Sequence, residues 1–360
     1  MIENTIFEDL FVLELASNHW GSLDRGKKIV DQFAQVVRFN NIKAAIKLQF
    51  RDVDHFIHKD FRDRQDIRYI KKTIDTHMSW DDYEKLVHHI KQSGCIPLAT
   101  PFDEKSVDMC VKFGFPLIKI ASSDLNDWIL LEKIATTRIP CIVSTGGSSQ
   151  KDVDDLVTFF SKRDIPLAIN HCVSIYPSED FELELSQIDY LKKRYPSTCI
   201  GFSSHEYKSW DLSIAIAYSK GARHFERHID IDDGTHPVAP YCSLPEQVDQ
   251  WFKAYKKAKE MCGNSGKARR FITQKESVYL DQLVRGVYAK RDLKAGHKLQ
   301  DKDVYLSVPL QKGQISCREY IRGEVLTKDV VKDAMIKIDD IDSPYASNAS
   351  LKALIYARGI

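Results

Sequence analysis

The chain has 360 residues, and 52 Lys plus Arg against 51 Asp plus Glu leave a net charge of +1. That balance gives no electrostatic footprint for nucleic acid or an anionic membrane surface. Hydrophobic content of 43% suits a globular protein, no apolar run reaches the length of a membrane span, and the opening MIENTIFEDL carries acids where a secretion signal carries bases.

FVLELA (11–16) is a short apolar run ending in the loop SNHWG, with a helix predicted over 23–37. AAIKLQF (44–50) reads as the second strand, followed by a charged, irregular excursion over 51–77 and a helix over 80–92. Next come CIPLAT (95–100) with a helix over 104–113, and LIKIAS (117–122) with one over 128–136. PCIVST (140–145) and PLAINHC (166–172) precede helices over 150–160 and 185–194. CIGFSS (199–204) and RHFERH (223–228) precede helices over 210–220 and 245–261.

Eight strand–helix units over about 250 residues predict an α/β fold, a TIM (β/α)8 barrel over 1–262. An open doubly wound sheet would carry a glycine-rich first turn, and SNHWGS has one glycine. From Gly263 the stretch GNSGKARRF opens a linker over 263–283. A small β-rich domain is expected over 284–338, and 339–360 reads as a polar tail up to LKALIYA. The cysteines (Cys95, Cys110, Cys141, Cys172, Cys199, Cys242, Cys262, Cys317) lie singly, without a CxxC pair. They point to reduced, buried thiols and so to the cytoplasm.

Active sites of such barrels lie at the carboxyl ends of the strands. Those ends present Glu14, Asn18, His19, Lys47, Gln49, Thr100, Lys119, Ser122 and Asp124, then Thr145, His171, Ser174, Tyr176, Ser203, His205, Glu226 and His228. His205 and His228 end neighbouring strands, and Glu226 shares a face with His228. Either these three form a metal or acid–base site, or they are polar strand ends bonded to loops. Two imidazoles with oxygen donors and open positions suit Mn²⁺, Fe²⁺, Co²⁺ or Zn²⁺. Lys47 and Lys119 lie mid-strand among apolar neighbours, where an unpaired ammonium is costly. They either bridge to Glu14 or Glu226, or join Thr100, Ser122 and Ser203 in a pocket for a phosphate or carboxylate.

LELASNHWGSLDRGKKIVD, AIKLQF, ATPFDEKSVD, IKIASSDLNDWILLEKIA, STGGSS, HCVSIYP, GFSSHE and FERHIDID, in this order, resemble the sialic acid (nonulosonic acid) synthases. RGVYAKRDLKAGHKLQDKDV resembles that family's carboxy-terminal antifreeze-like (SAF) domain. The resemblance implies condensation of phosphoenolpyruvate with the open-chain aldehyde of an amino sugar such as N-acetylmannosamine. The products would be a 3-deoxy-2-ulosonic acid, for surface polysaccharide, and phosphate. It also implies a divalent metal on His205 and His228, usually Mn²⁺, with Mg²⁺ or Co²⁺ as alternatives. Glu14, Lys47, Thr100, Lys119, Ser122 and Ser203 match the phosphoenolpyruvate and proton-transfer positions; Gln49, Tyr176 and Glu226 match those around the reacting carbons. Asp124 and Ser174 fall among the substrate-binding positions. A domain-swapped homodimer is implied as well, in which Arg318, Arg322, Gln311 or Gln314 reaches the partner's barrel mouth.

The chain departs from the family at Asp124 (commonly Glu), Ser174 (Asn), Ala239 (Asp) and Val308 (Arg). Most of these changes fall on the acceptor side, so the first substrate is expected to be ordinary and the second divergent. Two other readings stay open. One is a Schiff-base aldolase using Lys119 or Lys47 as its nucleophile, and the other is a catalytically inactive sugar-binding homologue.

Overall fold

The apolar runs become eight strands: β1 (Leu10–Ala16), β2 (Lys43–Phe50), β3 (Ile96–Pro101), β4 (Leu117–Ile120), β5 (Cys141–Ser144), β6 (Leu167–Cys172), β7 (Cys199–Ser204) and β8 (His224–His228). In the computed structural model, which describes residues 4–263, 268–344 and 346–360, each pairs in parallel with the next and β8 closes on β1. The expected TIM-type barrel is therefore the fold. Among the described residues, no helix is long and apolar enough to cross a membrane.

Helices follow the strands where a loop side chain caps the first free amides. Ser22 accepts from Arg25 N at 3.3 Å, Ser79 from Asp82 N at 3.2 Å and Asp103 from Ser106 N at 2.7 Å. Each such cap contributes about 1 kcal/mol. The excursion after β2 contains the short helix Val53–Phe56 and a longer one, Arg68–Asp75.

Strand side chains alternate, and both faces of this sheet are buried. Phe11, Leu13, Leu15, Ile46, Leu48, Ile118, Val143, Ile169, Ile200 and Phe225 pack under the helices. The other set faces inward, where Leu10, Val12, Ala45, Leu98, Leu117, Ile142, Ala168 and Cys199 make an apolar floor. Two residues further along the same faces, or four from Leu10 to Glu14, the inner set turns polar: Glu14, Lys47, Thr100, Lys119, Ser144 and Asn170, all buried. Ser203 and Glu226 complete that layer. Strand register sets Glu14 beside Lys47 and His228, and Ser203 beside Glu226. Gly201 lies just below. A Cβ there would come within 2.4 Å of the His224 ring and 2.5 Å of Asn170 Oδ1, so glycine leaves room for those side chains.

The chain divides between residues 263 and 264 into two compact units. Of the predicted linker, 264–267 lie outside the described residues, and Gln274–Asp281 is helical. In the second unit β9 (Gly286–Ala289) pairs antiparallel with β10 (Val304–Ser307), and β11 (Val325–Leu326) with β12 (Ile341–Asp342). The separate tail expected over 339–360 is corrected here. Ile341 pairs in β12, and Ile355 from the helix Ala349–Tyr356 is buried with Val287, Leu299 and Ile336 in that unit's core. The apolar residues of LKALIYA give the tail a face to bury. Asn348 caps its helix by accepting from Leu351 N at 2.9 Å.

Candidate active site

The polar end of the barrel opens into a cavity of about 480 Å³, and the predicted barrel site residues line it except His19, Asp124, Thr145 and His171. Lys47 is held between two carboxylates, with Nζ 2.5 Å from Glu14 Oε2 and 2.7 Å from Glu226 Oε1. For this lysine the salt bridge is what forms. Burial still lowers its pKa to about 8, against the pull of Glu226. Burial alone would raise the Glu226 carboxyl, but Lys47 and Lys119 more than offset that and hold it down to about 2. Gln49 donates to Glu14 Oε1 at 3.2 Å, and Ser203 Oγ donates to Glu226 Oε1 at 3.2 Å.

Lys119 is different. Its ammonium donates to Ser144 Oγ at 2.7 Å and to the Ile120 carbonyl at 2.9 Å. Among the described residues it meets no carboxylate within salt-bridge distance. A buried cation held only by neutral acceptors leaves its charge free for an anionic ligand.

His205 and His228 face each other with ring centroids 5.5 Å apart. His205 Nδ1 lies 2.9 Å from the Val173 carbonyl, which can only accept, so Nδ1 carries the proton and the Nε2 lone pair is free. Burial lowers the His205 pKa to about 4 and drops His228 well below the usual imidazole value. Both are neutral at neutral pH, as a metal ligand must be. Among the described residues no third His, Cys, Asp or Glu converges on them, because Glu226 is turned to Lys47 and Ser203. The two imidazoles are the residues that could hold a divalent ion here. Tyr176 packs its ring 4.0 Å from that of His205 and 5.3 Å from that of Tyr241.

Beside the cavity a recess of about 400 Å³ is walled by Ser122, Ser123, Asn126, Ser148 and Ser174. Gly146 N donates to Ser122 Oγ at 3.0 Å. A Cβ on Gly146 would come within 2.1 Å of Ser174 Oγ, so the close approach of these two loops requires glycine.

Several predicted positions need correction. Asp124 does not line the cavity: the 3-10 turn Ser122–Asp124 carries it away from Ser122, and its Oδ1 accepts from Ser123 Oγ at 2.8 Å. His171 has the opposite parity to Asn170 and Cys172. It faces the helices, stacking on Phe202 with Nε2 2.7 Å from the Leu183 carbonyl. His19 is buried in its loop, accepting from Gly21 N at 3.0 Å. Thr145 Oγ1 is spent on the Asn170 carbonyl at 3.1 Å, and Ser144 serves the site instead. In the second unit Gln314 is fully buried and donates to the Val287 carbonyl at 2.9 Å, so its amide is not free to reach a substrate, whereas Arg318, 3.8 Å from Asp281, stays exposed.

Ser144 was within reach of sequence reasoning, since it stands two residues beyond the inward Ile142. Arg51, Arg68, Tyr69, Lys72 and Tyr241 also line the cavity. Arg51 and Tyr241 come from loops, where no period marks which side faces in, and Arg68, Tyr69 and Lys72 from the helix Arg68–Asp75, in a stretch the sequence reads as irregular.

A family model matches this chain over residues 36–267 and carries the description NeuB family. The chain belongs to the NeuB family. A SAF domain model matches residues 284–342. N-acetylneuraminate-9-phosphate synthase of Drosophila melanogaster is 28% identical over 262 residues, 69% of this chain and 67% of that protein. N,N'-diacetyllegionaminic acid synthase of Campylobacter jejuni is 23% identical over 338 residues, 91% of this chain and 98% of that protein. A crystal structure from Chromobacterium violaceum, described as spore coat polysaccharide biosynthesis protein E, matches with TM-score 0.89 and 33% identity. That match covers 93% of this chain and 100% of the other.

Proposed function

We propose that this chain condenses phosphoenolpyruvate with the open-chain form of an aldose, releasing phosphate and giving a 3-deoxy-2-ulosonic acid for surface polysaccharide synthesis. One observation carries the reading. Lys119 is a buried ammonium with only neutral acceptors, set in the same cavity as Lys47, Thr100, Ser144 and Ser203 and as two neutral imidazoles. The phosphate and carboxylate of an enol phosphate answer that cationic, hydroxyl-rich floor. The names of the relatives, sialic and legionaminic acid synthases among them, agree with such a product.

In the reaction, carbon 3 of the enol phosphate forms a bond to the aldehyde carbon. Water adds at carbon 2, and the tetrahedral centre expels inorganic phosphate as its C–O bond breaks. Glu226, held ionised by its lysines, and Glu14 are placed to take the proton that the water gives up. Lys47 joins both carboxylates and helps keep Glu226 charged. Gln49 and Tyr176 border the acceptor. A divalent ion on His205 and His228, Mn²⁺ by resemblance with Mg²⁺ or Co²⁺ as substitutes, would polarise the aldehyde oxygen when bound. The proposal places the enzyme in the cytoplasm, where its eight unpaired cysteines stay reduced, and makes it a domain-swapped homodimer.

Phosphate release from phosphoenolpyruvate, with Mn²⁺ and a panel of aldoses, tests the proposal. No release with any aldose would overturn it. The lowered pKa of Lys47 is the one feature favouring a Schiff-base aldolase, yet its two carboxylates pin the ammonium. Trapping by borohydride with a carbonyl substrate would establish the aldolase instead.

A further inference from the structure

Behind the two histidines, on the side of the strands turned to the helices, lies an ion pair that the condensation does not touch. Arg227 and Glu206 are both buried, with Arg227 Nη1 3.2 Å from Glu206 Oε1. Each is the chain neighbour of a histidine: Glu206 follows His205 just past β7, and Arg227 precedes His228 in β8. Alternation turns the imidazoles into the cavity and this pair outward.

All three nitrogens of the guanidinium are used. Nε donates to Ser243 Oγ, Nη1 also to Ser204 Oγ at 3.2 Å, and Nη2 to the Glu206 carbonyl. Glu206 Oε1 accepts in addition from Ser213 Oγ at 2.5 Å, in the helix Trp210–Lys220. Ser243 N donates to the His228 carbonyl at 2.9 Å, and Tyr241, two residues before it, sets its ring 5.2 Å from that of His228. One arginine thus ties together the segment carrying His205, the strand carrying His228 and the segment carrying Tyr241.

Stability does not call for charge at this place. Two buried charges cost more to desolvate than their attraction commonly returns, and apolar residues of similar volume often serve a fold as well or better. What apolar packing lacks is direction. The planar fork of an arginine holds several acceptors in set places, and bonds made behind metal ligands orient those ligands.

Resting on the metal part of the synthase reading, we propose that Arg227 and Glu206 are positioning residues that hold His205 and His228 in the arrangement a divalent ion needs.

The test titrates the full chain with Mn²⁺ alone, following free Mn²⁺ by electron paramagnetic resonance, with His205→Ala marking the site. In the Arg227→Met, Glu206→Leu double variant Mn²⁺ should bind about tenfold to a hundredfold more weakly, while circular dichroism still shows a folded chain. Arg227→Lys keeps the charge without the fork and should lose about threefold to tenfold. It decides the matter if the double variant does not fold. A merely structural pair would lower Tm and leave the affinity of the folded chain unchanged, and that result would overturn the proposal. So would Mn²⁺ that fails to bind the unmodified chain, or that binds His205→Ala as tightly, since there would then be no ligand pair to hold. The titration needs no turnover. A chain that releases no phosphate from phosphoenolpyruvate would sink the synthase reading and still leave Mn²⁺ affinity to decide the role of this pair.

Discussion

Replacing Lys119 by methionine separates a cation kept for a ligand from one kept for the fold. In the folded chain its ammonium has a hydroxyl at 2.7 Å and a carbonyl at 2.9 Å as partners, with no carboxylate. Desolvating an ammonium costs several kcal/mol, and neutral hydrogen bonds return only part of that. Methionine fills nearly the same volume without the charge. Stability should therefore hold or rise by about 1–2 kcal/mol, and Tm should not fall. Loss of a charge-assisted bond to the enol phosphate should cost about 1.5–3 kcal/mol, so kcat/KM for phosphoenolpyruvate falls on the order of ten- to a hundredfold. Lys47→Met is the contrasting case. It strands Glu14 without its ion-pair partner and leaves Glu226 only the more distant Lys119, and should destabilise by about 3–5 kcal/mol. Thermal unfolding and steady-state kinetics with varied phosphoenolpyruvate read both effects. A Lys119→Met protein that melts several degrees lower, or that keeps its kcat/KM within threefold, would refute the reasoning.

Four further outcomes are expected. Burial lowers His19 and His205 to about 4 and His224 to about 3, all below the ordinary value near 6.5. The unfolded chain then binds more protons below pH 6.5, so stability is full above that value and is lost as pH falls toward 4. Urea unfolding should show a loss on the order of several kcal/mol between pH 7.5 and 5, and pH-independent stability would contradict it. Exhaustive EDTA treatment should abolish turnover, and His205→Ala should lose bound metal with Tm nearly unchanged; full activity after EDTA would remove the metal from the scheme. Gly201→Ala should cost about 1–3 kcal/mol by driving a methyl into His224 and Asn170, with partial recovery when His224→Ala is added. Sedimentation should give a dimer, since the second unit leaves Phe271, Ile272, Val278, Tyr279 and Leu283 exposed; a fully active monomer would rule this out.

Periodicity and turn chemistry were enough to read the barrel from the chain. Each β/α unit writes itself locally: a short apolar run, a loop with Ser or Asp as cap, then a stripe of apolar residues on a helix. Glu14, Lys47, Lys119, Glu226 and the two histidines could be singled out because a charge between apolar neighbours is costly wherever the strand faces. What local pattern could not supply was direction. Strands buried on both faces show no polar side, so only barrel closure decides that Asn170 and Ser144 look inward while His171 looks out to Phe202. Nor does spacing tell a bridged lysine from a free one. Lys47 finds two carboxylates because β1 pairs with its own strand and closure sets β8 on the other side of β1, a contact spanning 179 residues in the case of Glu226, whereas Lys119 on β4 finds only Ser144 and a carbonyl. Arg51 sits in a loop and Arg68 and Lys72 on a short, mostly charged helix with few apolar residues to mark its inner face, and the tail's Ile355 becomes core only against strands formed some seventy residues earlier. Such placements depend on where distant segments meet, and that is set by packing in three dimensions rather than by any pattern along the chain.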